Sequence, residues 1–134
     1  MGGIIITNPG VEIDEEIKKD LLTQTEEVGQ VILHIIYKAP AQFIFALIRI
    51  WPTTYLYDHH SDHRSELVHA ENITYYPDWH QCNAGVDNYF TLVFSGLPST
   101  CTMFDFIEHC DGSSGAFEVH NIPRNDTDVY YIRL

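Results

Sequence analysis

Basic side chains are scarce in this chain: seven lysines and arginines stand against 19 acids, a formal net charge of −12 over 134 residues. A protein that grips phosphate backbones or anionic headgroups needs a cationic surface, so nucleic acid and membrane surfaces are excluded as natural partners. Cysteine is nearly as sparse. Cys82, Cys101 and Cys110 contain no CxxC pair and leave one thiol over if two join, which argues against a disulfide-built secreted scaffold and for a reducing compartment. Long hydrophobic runs are missing too. The most apolar stretch, residues 31–51, is broken by His34, Lys38, Pro40, Gln42 and Arg49, so it does not read as a membrane span. Ile4-Ile5-Ile6 is too short and lacks the basic flank of a signal peptide. Together these absences place the chain in the cytoplasm.

Catalytic signatures are absent as well. The sequence has no GxSxG, GxxxxGK[ST], GxGxxG or HExxH, and we read it as a non-enzyme without cofactor. Cys82 beside His80, and Cys110 beside His109, are neighbours in sequence only, with no nearby cation to lower a thiol pKa. Asp105 with Glu108, and Glu66 with Glu71, are carboxylates on or near strands. They act as acid and base only if a cleft holds them at a fixed separation. Asn72-Ile-Thr74 and Asn125-Asp-Thr127 match the glycosylation pattern, which matters only in a secretory setting.

What the chain does have is β-forming residues. Hydrophobic residues make up 45% and aromatics 13%, and Gly, Pro, Asn and Asp punctuate the sequence every 8 to 12 residues, the pattern of an all-β sandwich or barrel. Strands are expected at 31–38, 43–50, 53–57, 65–68, 89–94, 103–108, 116–120 and 129–134, with 80–88 as a loop. Val31, Leu33, Ile35 and Tyr37 should share one face of the first. Ile44, Ala46, Ile48 and Ile50 should share one face of the second, and Phe90, Leu92 and Phe94 one face of a later strand. Residues 1–28 differ. Residues 11–30 hold seven acids, with Ile13, Ile17 and Leu21 at i, i+4, i+8 behind Asp14. That spacing suits a short acidic helix, or failing that an irregular acidic arm. The chain thus divides into an arm, 1–28, and a β-sandwich domain, 29–134.

Two sets of residues carry candidate sites. His59, His60, Asp62 and His63, beside Asp58, combine imidazole and carboxylate in one polar turn, the donor set of a divalent metal site. A turn splays its side chains, so a further ligand such as His80 or His109 would be needed, and a solvated turn is the competing account. Tyr55, Tyr57, Tyr75, Tyr76 and Trp79, together with Tyr89, Tyr130 and Tyr131, exceed what a core of this size requires. They suit a surface that recognises protein or carbohydrate, although cross-strand aromatic pairing explains them equally well. A free β edge would permit a monomer or a weak dimer.

Several stretches, read in order, carry a resemblance: Ile48-Arg-Ile-Trp-Pro-Thr-Thr-Tyr-Leu56, Leu67-Val-His-Ala-Glu-Asn-Ile73, Phe90-Thr-Leu-Val-Phe-Ser-Gly-Leu-Pro98, Phe104-Asp-Phe-Ile-Glu108 and Asn121-Ile-Pro-Arg-Asn125. Over residues 29–134 the chain resembles small bacterial domains of unknown function that look like immunoglobulin-type sandwiches. The resemblance implies an antiparallel β-sandwich of about seven to eight strands, and bears on the fold more than on the function. It implies no catalytic residue.

Overall fold

A computed structural model describes residues 4–5, 29–111 and 116–134. The expected N-terminal helix lies outside these residues. Among the described residues ten strands are present: β1 (Ile4–Ile5), β2 (Val31–Lys38), β3 (Phe45–Ile48), β4 (Thr54–Asp58), β5 (Arg64–Glu71), β6 (His80–Asn83), β7 (Asp87–Phe94), β8 (Met103–Glu108), β9 (Glu118–Pro123) and β10 (Val129–Arg133). The described residues contain no helix, and the mainly β class expected from the sequence is what the chain adopts.

Eight strands form one sheet in the order β1-β10-β2-β7-β5-β4-β8-β9, and β3 and β6 form a small second sheet. β4, β5 and β7 are successive antiparallel neighbours, and the earlier strand β2 returns beside β7, a Greek-key order counted from its last strand. One pair departs from the expected antiparallel pattern: β10 runs parallel to β2, from Val129↔Ile32 to Arg133↔Ile36. β5 joins the two ends of the large sheet. Its first residues, through Glu66, pair with β4; from Leu67 onward it pairs with β7, across a register shift between Leu67 and His69. Such irregularities bend a strand and increase its twist.

The bend lets the sheet curl until its far ends face each other. Phe94 of β7 meets Phe106 of β8, and Phe104 of β8 meets Tyr130 of β10, with ring centroids 6.1 Å and 5.1 Å apart. Tyr37 and Phe90 both reach Phe117, just before β9. Alternation explains who lines this interior. Val31, Leu33, Ile35 and Tyr37 of β2, Phe90, Leu92 and Phe94 of β7, and Leu56, Phe104, Phe106, Val119, Ile122 and Ile132 are all buried there. Ile32 and Ile36, on the other face of β2, are buried too, so this central strand reads as a nearly unbroken apolar run. At one edge of the interior Gly96 passes so close to Gly29 that a Cβ would sit 1.9 Å from the Gly29 carbonyl oxygen. Only glycine fits there.

The small sheet closes one side of the core. Ala46 and Ile48 of β3 and Cys82 of β6 point inward and join the apolar cluster, and parallel bridges Ala39↔Ala84 and Ile50↔Tyr75 tie the sheet to its surroundings. Here the structure corrects two expectations. Residues 80–88 are not a loop, because β6 and the start of β7 lie within them. Ile44 does not share the inner face of β3; it lies in the bend before the strand and is 91% exposed.

Candidate interaction surface

Because β3 alternates, burying Ala46 and Ile48 turns Phe45 and Leu47 outward. Across the ladder Phe45 faces Asn83, Leu47 faces Gln81 and Ile48 faces His80. One step further, Arg49 follows Leu47 on the outer side, and Trp79 precedes β6 beside it. Phe43, Ile44, Phe45, Leu47, Tyr76 and Trp79 are all exposed large hydrophobic residues. Large exposed apolar side chains gathered in one place mark an interaction site more often than singly scattered ones.

Arg49 organises the aromatic end of this face. Its guanidinium carbon lies 3.7 Å from the Trp79 ring centroid, 4.7 Å from that of Tyr76 and 5.6 Å from that of Trp51. Tyr76 in turn stacks on Trp51 at 3.7 Å with the planes 19° apart. Arg49 Nη1 donates to the Pro77 carbonyl, 3.1 Å away, just after the cis Tyr76–Pro77 peptide. Two backbone bonds fasten the aromatic loop to the strand: Ile50 N–H to the Thr74 carbonyl and Tyr76 N–H to the Ile50 carbonyl. Cation–π contact and stacking of this kind hold exposed rings in one arrangement.

Beneath this platform lies the buried Glu108. One carboxylate oxygen accepts from Trp51 N–H at 2.9 Å, the other from Phe117 N–H at 3.0 Å. Burial pushes its pKa up, while the two backbone N–H groups, the Cys110 thiol and the charge of Arg49 pull it partly back. With both oxygens engaged by backbone, Glu108 is an anchor for Trp51. The sequence pairing of Asp105 with Glu108 is not realised as a site: Asp105 belongs to the outer side of β8, and Glu108 to the core side.

The five aromatic residues singled out from the sequence divide among three places. Tyr76 and Trp79 belong to the Arg49 platform. Tyr75 lies in the bridge to Ile50. Tyr55 and Tyr57 stand on the outer face of β4, where Arg64 covers Tyr55 at 4.1 Å and the Tyr57 hydroxyl hydrogen-bonds His109 Nε2 at 2.6 Å. Glu66 lies across from Tyr55, and Asp105 across from Tyr57, so that second cluster is polar at its margins. Sequence reasoning missed Arg49, Trp51, Phe43, Phe45 and Leu47 as surface residues. The signal was a lone arginine two residues before a tryptophan, in a run otherwise read as core.

The histidine turn sends its rings three ways. His59 Nε2 bonds Asp105 Oδ1 at 2.6 Å, His60 Nε2 bonds Thr102 Oγ1 at 2.7 Å, and His63 Nε2 lies 3.1 Å from both Ser65 Oγ and the Gly96 carbonyl. Asp62 is exposed. His80 lies on β6, and His109 is engaged with Tyr57. Among the described residues no group of three or more His, Cys, Asp or Glu is arranged to hold a metal ion. What the sequence did not reveal is that His120 reaches Asp105 from β9, at 3.1 Å. Burial raises the Asp105 pKa, but Asn121 N–H, His59 and His120 outweigh it and leave the carboxyl below its usual range. The turn itself is built on Asp58, which accepts from His60 N–H at 2.9 Å and from Ser61 Oγ at 2.6 Å.

The thiols of Cys82 and Cys101 are unsuited to nucleophilic chemistry. Burial, aided by the neighbouring Asp58, pushes Cys101 up to about 11, and burial also raises Cys82; both stay protonated at neutral pH. No disulfide joins Cys82, Cys101 and Cys110. A shallow polar cavity of about 420 Å³ is lined by residues that include Cys101, Arg124, Asn125 and Asp128. Its arginine is already held by both oxygens of Asp128.

No protein-family model, curated protein or solved structure matches the chain.

Proposed function

We propose that the chain is a non-enzymatic interaction module that binds a protein partner through the outer face of β3 and β6 and the adjoining aromatic platform. The observation that carries this reading is the exposure of Phe45 and Leu47 on the outer face of β3, continuous with the exposed Tyr76 and Trp79 that Arg49 holds in a fixed arrangement. Aromatic residues and arginine are the side chains most enriched where binding energy concentrates. A protein suits this face better than a carbohydrate. Sugars stack on open ring faces, whereas Trp51 and Tyr76 cover each other and Arg49 covers one face of Trp79.

The resemblance to small bacterial sandwich domains of unknown function belongs to this proposal and accords with a β fold offering a binding face. So does a reducing compartment, which three cysteines outside any disulfide favour. No helix among the described residues is long and apolar enough to cross a membrane. The divalent-metal alternative would require His59, His60 and His63 to leave three different partners, and no observation favours it.

The test is comparative binding by calorimetry of a captured protein partner. The unaltered chain, Leu47→Asp, Trp79→Ala and the off-site variant Val68→Asp are compared. Loss of at least roughly tenfold in affinity for the first two variants, with Val68→Asp near the unaltered value, is the expected result. Equal affinity across all four would overturn the reading.

A further inference from the structure

The geometry points to a second copy of this chain as the protein that occupies the β3–β6 face. The inference rests on the proposed function and names the partner of the same surface.

Two copies that each carry a charge of −12 repel, so stable self-contact needs a region free of that excess. This face is such a region. Residues 39–57 contain no acid, and Arg49 is their one charged side chain; residues 79–86 contain neither acid nor lysine nor arginine. The rim adds one acid, Asp78, between Pro77 and Trp79.

Arg49 and Asp78 are each without an ion pair among the described residues. The one hydrogen bond Arg49 donates there goes to the Pro77 carbonyl. Asp78 uses its backbone, donating its N–H to the Tyr75 carbonyl and accepting from Thr74 Oγ1, while the residue itself is exposed. A two-fold contact brings the same patch of each subunit together, so the patch must carry its own complement. One unpaired cation and one unpaired anion on the same rim satisfy that condition: Arg49 of each copy can meet Asp78 of the other, around a centre built from Phe45 and Leu47. Such pairing across an interface fixes its register. The main-chain edge agrees. Among the described residues β3 is hydrogen-bonded to β6 alone, so within them its other edge is unpaired and suits a strand from a second molecule, with Ile44 fully presented at its start.

Sedimentation velocity on the full chain, from low micromolar to about 0.5 mM, tests this directly. The expected result is a monomer–dimer equilibrium. Ile44→Asp should weaken it by roughly tenfold or more, while Val68→Asp on β5 should leave it unchanged. Ile44 is almost fully exposed, so its substitution leaves the fold intact, which circular dichroism checks. Arg49→Asp and Asp78→Arg should each weaken the dimer, and the double exchange should restore it to within about threefold. A monomer throughout the range, or a dimer indifferent to Ile44→Asp, overturns the inference. So does a double exchange no better than the single ones. A monomeric chain that still binds a foreign protein through Leu47 would overturn the second-copy inference and leave the proposed function standing.

Discussion

Arg49 and Trp79, remote in sequence, meet with guanidinium and indole 3.7 Å apart. The contact exists because β3 and β6 pair with Ile48 opposite His80, so the residues just beyond each strand end arrive side by side. It gives an exposed tryptophan a defined position.

Replacing Arg49 by alanine should therefore loosen the platform. The expected cost is about 1 kcal/mol in urea unfolding, the range of a partly exposed cation–π contact. The tryptophan emission should also change, because Trp79 and Trp51 lose a shared neighbour. An unchanged spectrum and unchanged stability would show that the rings are fixed by the loop alone.

Leu92 and Phe104 lie fully buried between the facing halves of the sheet. Leu92→Ala and Phe104→Ala should each destabilise the fold by about 2–5 kcal/mol. Ile44→Ala, at an exposed position, should stay within about 0.5 kcal/mol of the unaltered chain. Chemical denaturation of the three variants measures the contrast.

Asp58 and His60 are close in the same turn and should respond unequally to truncation. The Asp58 carboxylate is buried. Burial raises its pKa, but hydrogen bonds from Ser61, His60 N–H and the Cys101 thiol more than offset this. Asp58→Ala strips those donors of their acceptor and should cost about 1–3 kcal/mol. His60→Ala loses one exposed contact with Thr102 and should stay within about 0.5 kcal/mol. Equal losses would mean that the histidine contact is structural.

His34 supplies a pH dependence. Burial lowers its pKa from 6.5 to about 4. Its Nδ1 hydrogen-bonds Thr91 Oγ1 at 2.8 Å, and its Nε2 is buried without a partner. The unfolded chain takes up the proton near pH 6.5 and the folded chain only near 4. Stability is therefore complete above pH 6.5 and falls as the pH drops between those values, by up to about 3 kcal/mol. Glu108, whose pKa is raised, acts in the opposite sense by favouring the folded state where it is protonated. Unfolding midpoints measured from pH 7.5 to 4.5 should decline in the unaltered chain and flatten in His34→Gln. Parallel curves would remove His34 as the cause.

The strands legible in the sequence were those whose burial left a periodic mark. β2 and β8 are read to their ends because Val31, Leu33 and Ile35, and Phe104 and Phe106, alternate or run unbroken. β6 was not legible: His-Gln-Cys-Asn buries only Cys82, and its strand character comes from pairing with β3. The latter half of β5 was hidden likewise, since Val68, His69 and Glu71 are exposed. The binding face fared worse for a physical reason. Phe45 and Leu47 have the composition of core residues, and nothing local shows that their side of β3 is left uncovered. Nor does residue spacing show that Trp79 lands on Arg49. For the histidine turn, proximity in sequence left a metal-binding arrangement and a splayed, solvated turn both open, and ring directions are set by partners such as Asp105, Thr102 and Gly96 that lie far off in sequence.

β5 exchanges β4 for β7 partway along its length, and this has a bearing on how the molecule comes apart. Neither half of the curled sheet owns that strand, so the halves part only by stripping the hydrogen bonds from one end of β5 or the other. The shared strand works as a seam that couples the two sides and makes them melt as one cooperative unit.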